Sequence, residues 1–327
     1  MVIRTGNRAV ATTLRDRLRV PIIVSPMFLV SGVDLVVSSC QAGVVGSLPA
    51  LNARTSALFD EWLSQVEAGL RDTPDAAPYA VNLIVHSTNE RLEADLDLCV
   101  AHKVPIIVAS VGSPRNVIEK VHSYGGLVVC DAGSIRHARR AAEMGVDGLI
   151  LLCAGAGGNT GWLNPFAFVA EVRKFFDGPI IVAGAISDGK QLHALEIIGA
   201  DMAIVGTSFI PARESLADDD YREMLIRSNA DDILLTTEVT GIPCNMLRES
   251  LERSGFVASG PRKGFDSGNE LETLRAWRDI WSAGHGTGAI EKIENVADIV
   301  QRFSEEYRTS HANAQAATPS LSEQNAA

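Results

Sequence analysis

The sequence predicts a (β/α)8 barrel, or TIM barrel, with a small inserted lid subdomain. Eight short apolar runs rich in β-branched residues recur between residues 20 and 205, and most are separated by helical patterns. This alternation favours parallel strands joined by helices, and eight units favour a closed barrel over an open, doubly wound sheet. The 327 residues, 46% hydrophobic and 21% charged, can supply the core of one large domain.

Each predicted strand is a nearly continuous apolar run, which is typical of strands that are buried on both faces. The helices between them carry their own signals: Ser134 is expected to cap a helix that Gly145 ends, while Asn164 and Asp188 open the helices that follow. The predicted strands are residues 20–24, 44–47, 79–83, 105–109, 127–130, 149–152, 179–183 and 202–205.

The barrel pattern occupies residues 1–210 and lapses after them. Residues 211–268 contain a short apolar run, a Gly-Ile-Pro turn and an amphipathic segment, which predict a lid or substrate subdomain over the site. Residues 269–307 are expected to form C-terminal helices that pack back on the barrel. The small polar residues of 308–327 predict a disordered tail.

Charge and cysteine usage exclude several classes of function. A formal net charge of −11 argues against nucleic acid or an anionic membrane as a partner, and no run reaches the roughly 18 apolar residues of a spanning helix. The N-terminal residues lack the apolar run of a signal peptide, and the five cysteines are scattered without a CxxC pair. We therefore expect reduced thiols, no metal site and a cytoplasmic location. The sequence leaves open whether the protein is a homodimer.

Candidate site residues are those that follow the predicted strands, because the site of such a barrel lies at the carboxyl ends of its strands. Two of them allow more than one interpretation. Asn82 is either a satisfied core amide or a ligand contact, and Asp131 either binds a cofactor hydroxyl or caps the next helix. In chain order the candidates are Pro26, Met27, Phe28, Asn82, Asp131, Gly157, Gly158, Asn159, Ala183, Gly184, Ala185, Val205, Gly206 and Thr207.

The last two strand ends suggest a phosphate site. Gly184 and Gly206 allow close backbone approach, and Thr207 offers a hydroxyl. Backbone amides and a helix N-terminus bind phosphate without a basic side chain, commonly after strands seven and eight of a barrel. Alternatively, these glycines only turn the chain. The ligand interpretation predicts a phosphorylated cofactor, and FMN suits a barrel.

Several separated motifs together resemble the nitronate monooxygenases, formerly called 2-nitropropane dioxygenases. They are VPIIVSPM, YAVNL, RHARRAAEMGVDGLI, CAGAGGNTG, PIIVAGAISDG, ADMAIVGTSFI and IWSAGHGTGAI, and they extend over residues 20–307. The family includes NADH:quinone reductase and is related to FMN-dependent enoyl-ACP reductases. The resemblance implies an FMN barrel with a lid, a small-molecule substrate, and O2 or NAD(P)H as co-substrate. It places the candidate residues other than Asn159 at the FMN, with residues 281–284 nearby.

Two positions depart from the pattern of the family. Asn159 occupies the place of the usual histidine base, and Ser208 occupies the place of an arginine. An amide cannot abstract a proton, so the resemblance predicts activity confined to nitronates, which are already anions. The alternatives are a flavin-dependent NAD(P)H:quinone or C=C reductase or dehydrogenase, and a non-catalytic flavin-binding protein.

Overall fold

Eight parallel strands form the centre of the molecule, as the sequence predicts. The computed structural model describes residues 5–256 and 277–317. The strands pair in the order β1-β9-β8-β6-β5-β4-β3-β2. Val24 N donates to Val45 O at 2.8 Å, and Val45 N donates to Ile22 O at 3.1 Å, which closes the barrel. The barrel strands are β1 (Ile22–Val24), β2 (Ser47–Pro49), β3 (Ala80–Ile84), β4 (Ile106–Ser110), β5 (Leu127–Ala132), β6 (Gly148–Leu152), β8 (Ile180–Ala183) and β9 (Met202–Val205).

The second strand lies further along the chain than predicted. Residues 44–47 were expected, whereas the ladder with β3 runs over Ser47–Pro49. Val44 and Val45 begin the predicted strand because they are apolar. They lie before the observed strand, and Val45 instead makes the bridge to Ile23 that closes the barrel. Gly46 also lies against a helix, because a Cβ there would be 2.4 Å from Val36 O.

Helices surround the barrel, and their ends follow the predicted signals. Ser134 Oγ accepts from His137 N at 3.2 Å, and Gly145 ends that helix with φ of 91°. Asn164 and Asp188 cap the next two helices in the same way. The helices are α1 (Arg8–Arg15), α2 (Val33–Gln41), α3 (Ser56–Leu70), α4 (Leu92–Ala101), α5 (Arg115–His122), α6 (Ile135–Met144), α7 (Pro165–Arg173), α8 (Gly189–Ile197), α9 (Asp219–Arg227), α10 (Arg248–Arg253) and the C-terminal helix (Val296–Ala317).

The core has two concentric layers. Along β6, Leu149 and Leu151 pack outward with the helices, whereas Ile150 points into the barrel with Val108 and Ile204. Side chains alternate across a strand, so burial of both faces requires apolar residues at every position. This arrangement explains why the strands are continuous apolar runs. In the described part of the chain, no helix has the length and apolar character needed to cross a membrane.

A small antiparallel sheet lies over the barrel mouth and incorporates part of the glycine-rich loop that follows β6, residues 153–161. Strand β11 (Cys244–Leu247) pairs on one side with β10 (Ile233–Thr236) and on the other with β7 (Gly158–Asn159). Cys244 is the register partner of Asn159. Part of the predicted lid, residues 257–268, lies outside the described residues, as do residues 269–276.

The predicted disorder of residues 308–327 is wrong over its first half. The C-terminal helix continues to Ala317, while residues 318–327 lie outside the described part. Side chains tie its last turns to α8: His311 Nε2 lies 2.8 Å from Glu196 Oε2, and His193 Nδ1 lies 2.9 Å from Ser310 Oγ. Polar composition alone suggested disorder, but these long-range contacts hold the helix in place.

Candidate active site

Two connected cavities open at the carboxyl ends of the barrel strands. The main cavity has about 1390 Å³ of empty space including its open mouth, and the adjoining glycine pocket has about 580 Å³. The two cavities share part of their lining, so they form one connected space at this end of the barrel. Both cavities are lined by Ser25, Met27, Ala156, Gly157, Ala183, Ile204, Ile210 and Ser282.

Every candidate residue from the sequence lines one of these cavities. The fold therefore brings the whole set together, while its contact with a cofactor stays a prediction. Pro26, Met27, Phe28, Asn82, Asp131, Gly157, Gly158, Asn159 and Ala183 line the main cavity. Gly157, Ala183, Gly184, Ala185, Val205, Gly206 and Thr207 line the glycine pocket.

A chain of polar side chains crosses the wall of the main cavity. Asn82 Nδ2 donates to Val108 O at 2.9 Å and to Ser110 Oγ at 2.8 Å. Ser110 and the Val111 amide in turn lie near the carboxyl of Asp131 and favour its charged form. The Asn82 donors are therefore satisfied, which leaves its carbonyl oxygen for a ligand. Asp131 is not a helix cap, because Ser134 serves α6.

The loop after β1 is held in a strained shape by a residue that sequence reasoning missed. Asn52 Oδ1 accepts from Leu29 N at 3.0 Å, and its Nδ2 donates to Met27 O at 3.0 Å and to Ser31 O at 2.8 Å. Leu29 has φ of 60°, a region that costs a non-glycine residue about 1–3 kcal/mol. Asn52 therefore positions Met27 and Phe28 at the cavity, although it does not line the cavity itself.

Replacing Asn52 with alanine is expected to lower the free energy of unfolding by about 2–4 kcal/mol, because buried backbone groups lose their partners. For a chain of this size that means a fall in Tm of several degrees. The check is thermal unfolding with and without FMN, with Asn164→Ala, an exposed cap on α7, as the control. An Asn52→Ala protein that unfolds at the wild-type temperature would contradict the positioning role.

The small residues of the glycine-rich loop are explained partly by the protein itself. His285 N donates to Gly155 O at 3.0 Å, and a Cβ on Gly157 would lie 2.7 Å from Gly284 N. The loop thus packs backbone to backbone against residues 283–285. Asn245, on the lid strand β11, is buried and donates from Nδ2 to Ala156 O at 2.7 Å. It fixes the lid to the loop.

The glycine pocket is built from backbone and one oriented hydroxyl. Gly184 has φ of 140°, and Ala185 has φ of 57°. Thr207 begins a 3-10 helix, Thr207–Phe209, whose first amides have no partner within the helix. Gly284 N donates to Thr207 Oγ1 at 2.9 Å, which leaves the hydroxyl hydrogen to point elsewhere. Amides and a hydroxyl in this arrangement are suited to an anion.

The helix after β8 contributes less to this pocket than the sequence suggested. Asp188 Oδ1 accepts from Gln191 N at 2.7 Å, and Glu306 Oε2 accepts from Gly189 N at 2.9 Å. Two carboxylates therefore already pair with two of the first amides of α8.

Asn159 lies where β7 meets the lid, and its side chain lines the main cavity. Its Oδ1 is buried, and no described residue hydrogen-bonds to it. A buried polar atom without a partner costs about 1–3 kcal/mol and is uncommon, so its presence beside a cavity indicates a ligand or water partner. Among the described cavity-lining residues there is no histidine, lysine or arginine.

Comparison with known proteins identifies the family. The family model for nitronate monooxygenase matches residues 12–258, most of the chain. The chain belongs to the nitronate monooxygenase family. The matched residues include the barrel strands, the glycine-rich loop and the described lid strands.

Curated relatives of this chain agree with its assignment to the family. A nitronate monooxygenase of Paraburkholderia phytofirmans is 26% identical over 361 residues, covering 95% of this chain and 98% of that protein. A putative monooxygenase of Mycobacterium tuberculosis is 29% identical over 50% of this chain, and a carboxyl-CoA dehydrogenase of Rhodococcus jostii is 25% identical over 72%. These two matches span only 44% and 65% of the relatives' own lengths.

Solved structures share the fold. FabK from Thermotoga maritima superposes with a TM-score of 0.80 at 23% identity, covering 97% of this chain and all of that one. A nitroalkane oxidase from Streptomyces ansochromogenes gives 0.79 at 22% identity, covering 92% and 99%. At these identities the likeness supports the barrel with its lid and nothing finer.

Proposed function

We propose that this family member is an FMN-dependent oxidoreductase that oxidises a nitronate, or a similarly small activated anion, with O2. The observation that carries the proposal is the amide of Asn159 among the residues that line the main cavity, at the position that the resemblance assigns to a histidine base. A neutral nitroalkane must lose its α-proton before it can be oxidised, whereas a nitronate needs no base.

The residues of the glycine pocket fit the phosphate of FMN. Gly184 and Ala185 both have positive φ, which turns the chain sharply after β8. The Thr207 hydroxyl retains a hydrogen to donate, and the amides of residues 207–208 begin a helical turn. When bound here, FMN would supply the redox chemistry, since it can accept electrons from a substrate and pass them to O2.

The main cavity then holds the flat ring and the substrate. Its wall is largely apolar and includes the aromatic residues Phe28, Trp277 and Trp281, and such an environment excludes water from the reacting groups. Asn82 and Ser110 supply polar contacts at the strand ends. The Asn159 amide, like other fixed dipoles in such sites, orients a substrate oxygen by hydrogen bonding.

The test is oxygen uptake by the FMN-loaded protein with ethylnitronate and with neutral nitroethane. We expect uptake with the nitronate and a rate on nitroethane lower by about 10²–10⁴-fold, the usual contribution of a positioned base. Equal rates on the two forms would refute the restriction to nitronates, and no uptake with either would refute the monooxygenase assignment.

A second candidate is a flavin-dependent dehydrogenase or a reductase of a C=C bond or quinone. The observation that favours it is the match to the carboxyl-CoA dehydrogenases, which covers 72–75% of this chain. Hydride transfer depends on orientation more than on a base. Anaerobic loss of the flavin's visible absorbance on addition of NADH or NADPH would favour this candidate over the nitronate monooxygenase.

A further inference from the structure

The main cavity contains one carboxyl group and no described cation. Among the described residues that line the two cavities, Asp131 is the only acidic or basic one. The Tyr221 phenol is the only other titratable group among them. A substrate that arrives as an anion therefore meets a carboxylate and finds no opposite charge. Such a substrate binds well only if the negative charge of Asp131 is neutralised.

Asp131 is held so that it can change its charge near neutral pH. Burial raises the pKa of its carboxyl to about 6, against the opposing effect of hydrogen bonds from Ser110 and the Val111 amide. The flanking strands β4 and β6 carry no titratable side chain. The adjacent Cys130 thiol has a pKa raised first by burial and then by Asp131, so it stays neutral.

The one titratable group across the cavity also stays neutral. Burial raises the pKa of the Tyr221 phenol, and its hydroxyl donates to Ser282 O at 2.5 Å. No other described titratable group lines this cavity, so any charge adjustment inside it falls to Asp131.

We propose that Asp131 takes up one proton from solvent when a small planar anion, a nitronate or the similarly shaped carboxylate, binds in the main cavity. The proposal rests on the proposed function, since it concerns the substrate class of the same site. The proton goes to a carboxyl oxygen of Asp131, the anion keeps its charge, and no covalent bond of the ligand changes. The protonated carboxyl then no longer repels the ligand.

The sign of the pH dependence follows from this linkage. Below the pKa of the ligand-free cavity, Asp131 is already protonated and the anion binds at full strength. Above it, binding requires proton uptake, so the dissociation constant rises up to about tenfold per pH unit until the raised pKa of the occupied cavity is passed. Like charges in a poorly solvated cavity repel more strongly than in water, so the bound anion raises the pKa of Asp131 further. The pH range between the two pKa values, in which affinity depends on pH, is therefore expected to include neutral pH.

The probe is propionate, an unreactive carboxylate close in shape to ethylnitronate, titrated into FMN-loaded protein and followed by the visible spectrum of the flavin. For the wild type we expect the dissociation constant of propionate to rise about tenfold or more between about pH 6 and pH 8. Asp131→Asn should bind propionate with a nearly constant affinity and about tenfold or more tightly than the wild type at pH 8. Calorimetry in two buffers of different ionisation enthalpy should register proton uptake for the wild type only.

Asp188→Asn is the matched control, because it removes the same charge from a helix cap that does not line either cavity. It should keep the wild-type pH dependence. Wild-type binding that is independent of pH, or an Asp131→Asn protein with an unchanged slope, would overturn the proposal. Anaerobic α-proton exchange of nitroethane that is lost in Asp131→Asn, measured by NMR, would instead refute the restriction to nitronates, because Asp131 would then be a base. It would support the linkage, since the product is a bound nitronate beside a protonated Asp131. If propionate binding shows the linkage but nitronates are not oxidised, the proposed function fails and the linkage stands.

Discussion

Replacing Asn159 with histidine is expected to raise the rate on neutral nitroethane by about 10²–10⁴-fold, the range that a positioned general base contributes. Histidine titrates near neutral pH, so it can accept the α-proton that the amide cannot. The backbone at this position is fixed by pairing between β7 and β11, which places the new ring at the same wall of the main cavity. The rate on ethylnitronate, which needs no base, should change little.

The measurement is oxygen uptake with both forms of the substrate, together with a pH profile on nitroethane. The histidine variant should gain activity as pH rises through the histidine pKa. Asn159→Gln is the control, since it changes the side-chain length without supplying a base. A rise of the same size with glutamine, or no rise in a histidine variant that binds FMN normally, would contradict the role given to this position.

The barrel could be predicted from sequence because its determinants are local. Strands buried on both faces, such as β6, have to be apolar throughout, and caps such as Ser134 and stops such as Gly145 mark the helices. The exceptions depend on distant contacts. The sequence predicts the second strand too early because Val45 is buried by its pairing with Ile23 across the closure of the barrel. It predicts a disordered tail because nothing local reveals the contact of His311 with Glu196.

The mouth of the site was predictable for a related reason. Once the strands are known, the residues that follow them must converge at one end of the barrel, so Asn82, Asp131 and Thr207 could be grouped without coordinates. Residues that act through others could not be. Asn52 lies on a different segment from the loop that it holds, and Ser110 looks like any strand residue until its contacts to Asn82 and Asp131 are seen.

The glycine-rich loop shows where motif reasoning needs structural correction. Five consecutive small residues, 154–158, allow another group to lie close to the backbone, and taken alone they suggest a ligand. The approach to Gly155 and Gly157 is in part that of the protein's own segment 283–285. Small residues indicate that something lies close to the backbone, but their pattern does not distinguish a ligand from another stretch of chain.

Changing Thr207 to valine is expected to raise the dissociation constant of FMN by about 10–100-fold. The hydroxyl accepts from Gly284 N at 2.9 Å, so its own hydrogen is available to a phosphate oxygen in the glycine pocket. Hydrogen bonds to charged groups contribute about 1.5–3 kcal/mol, and each 1.4 kcal/mol is a factor of ten in affinity. Valine keeps the shape of threonine and removes the hydroxyl.

Two further variants separate binding from stability. Thr207→Ser keeps the hydroxyl and should bind FMN close to the wild-type affinity. Thr160→Val removes a buried hydroxyl that donates to Cys153 O at 3.0 Å but lines neither cavity, so it should lower Tm without weakening FMN binding. The measurement is a titration of FMN with the apoprotein, in which the fluorescence of FMN reports binding. If Thr207→Val and Thr160→Val weaken FMN binding equally, the Thr207 hydroxyl does not hydrogen-bond to the phosphate. The phosphate site would then consist of backbone amides alone.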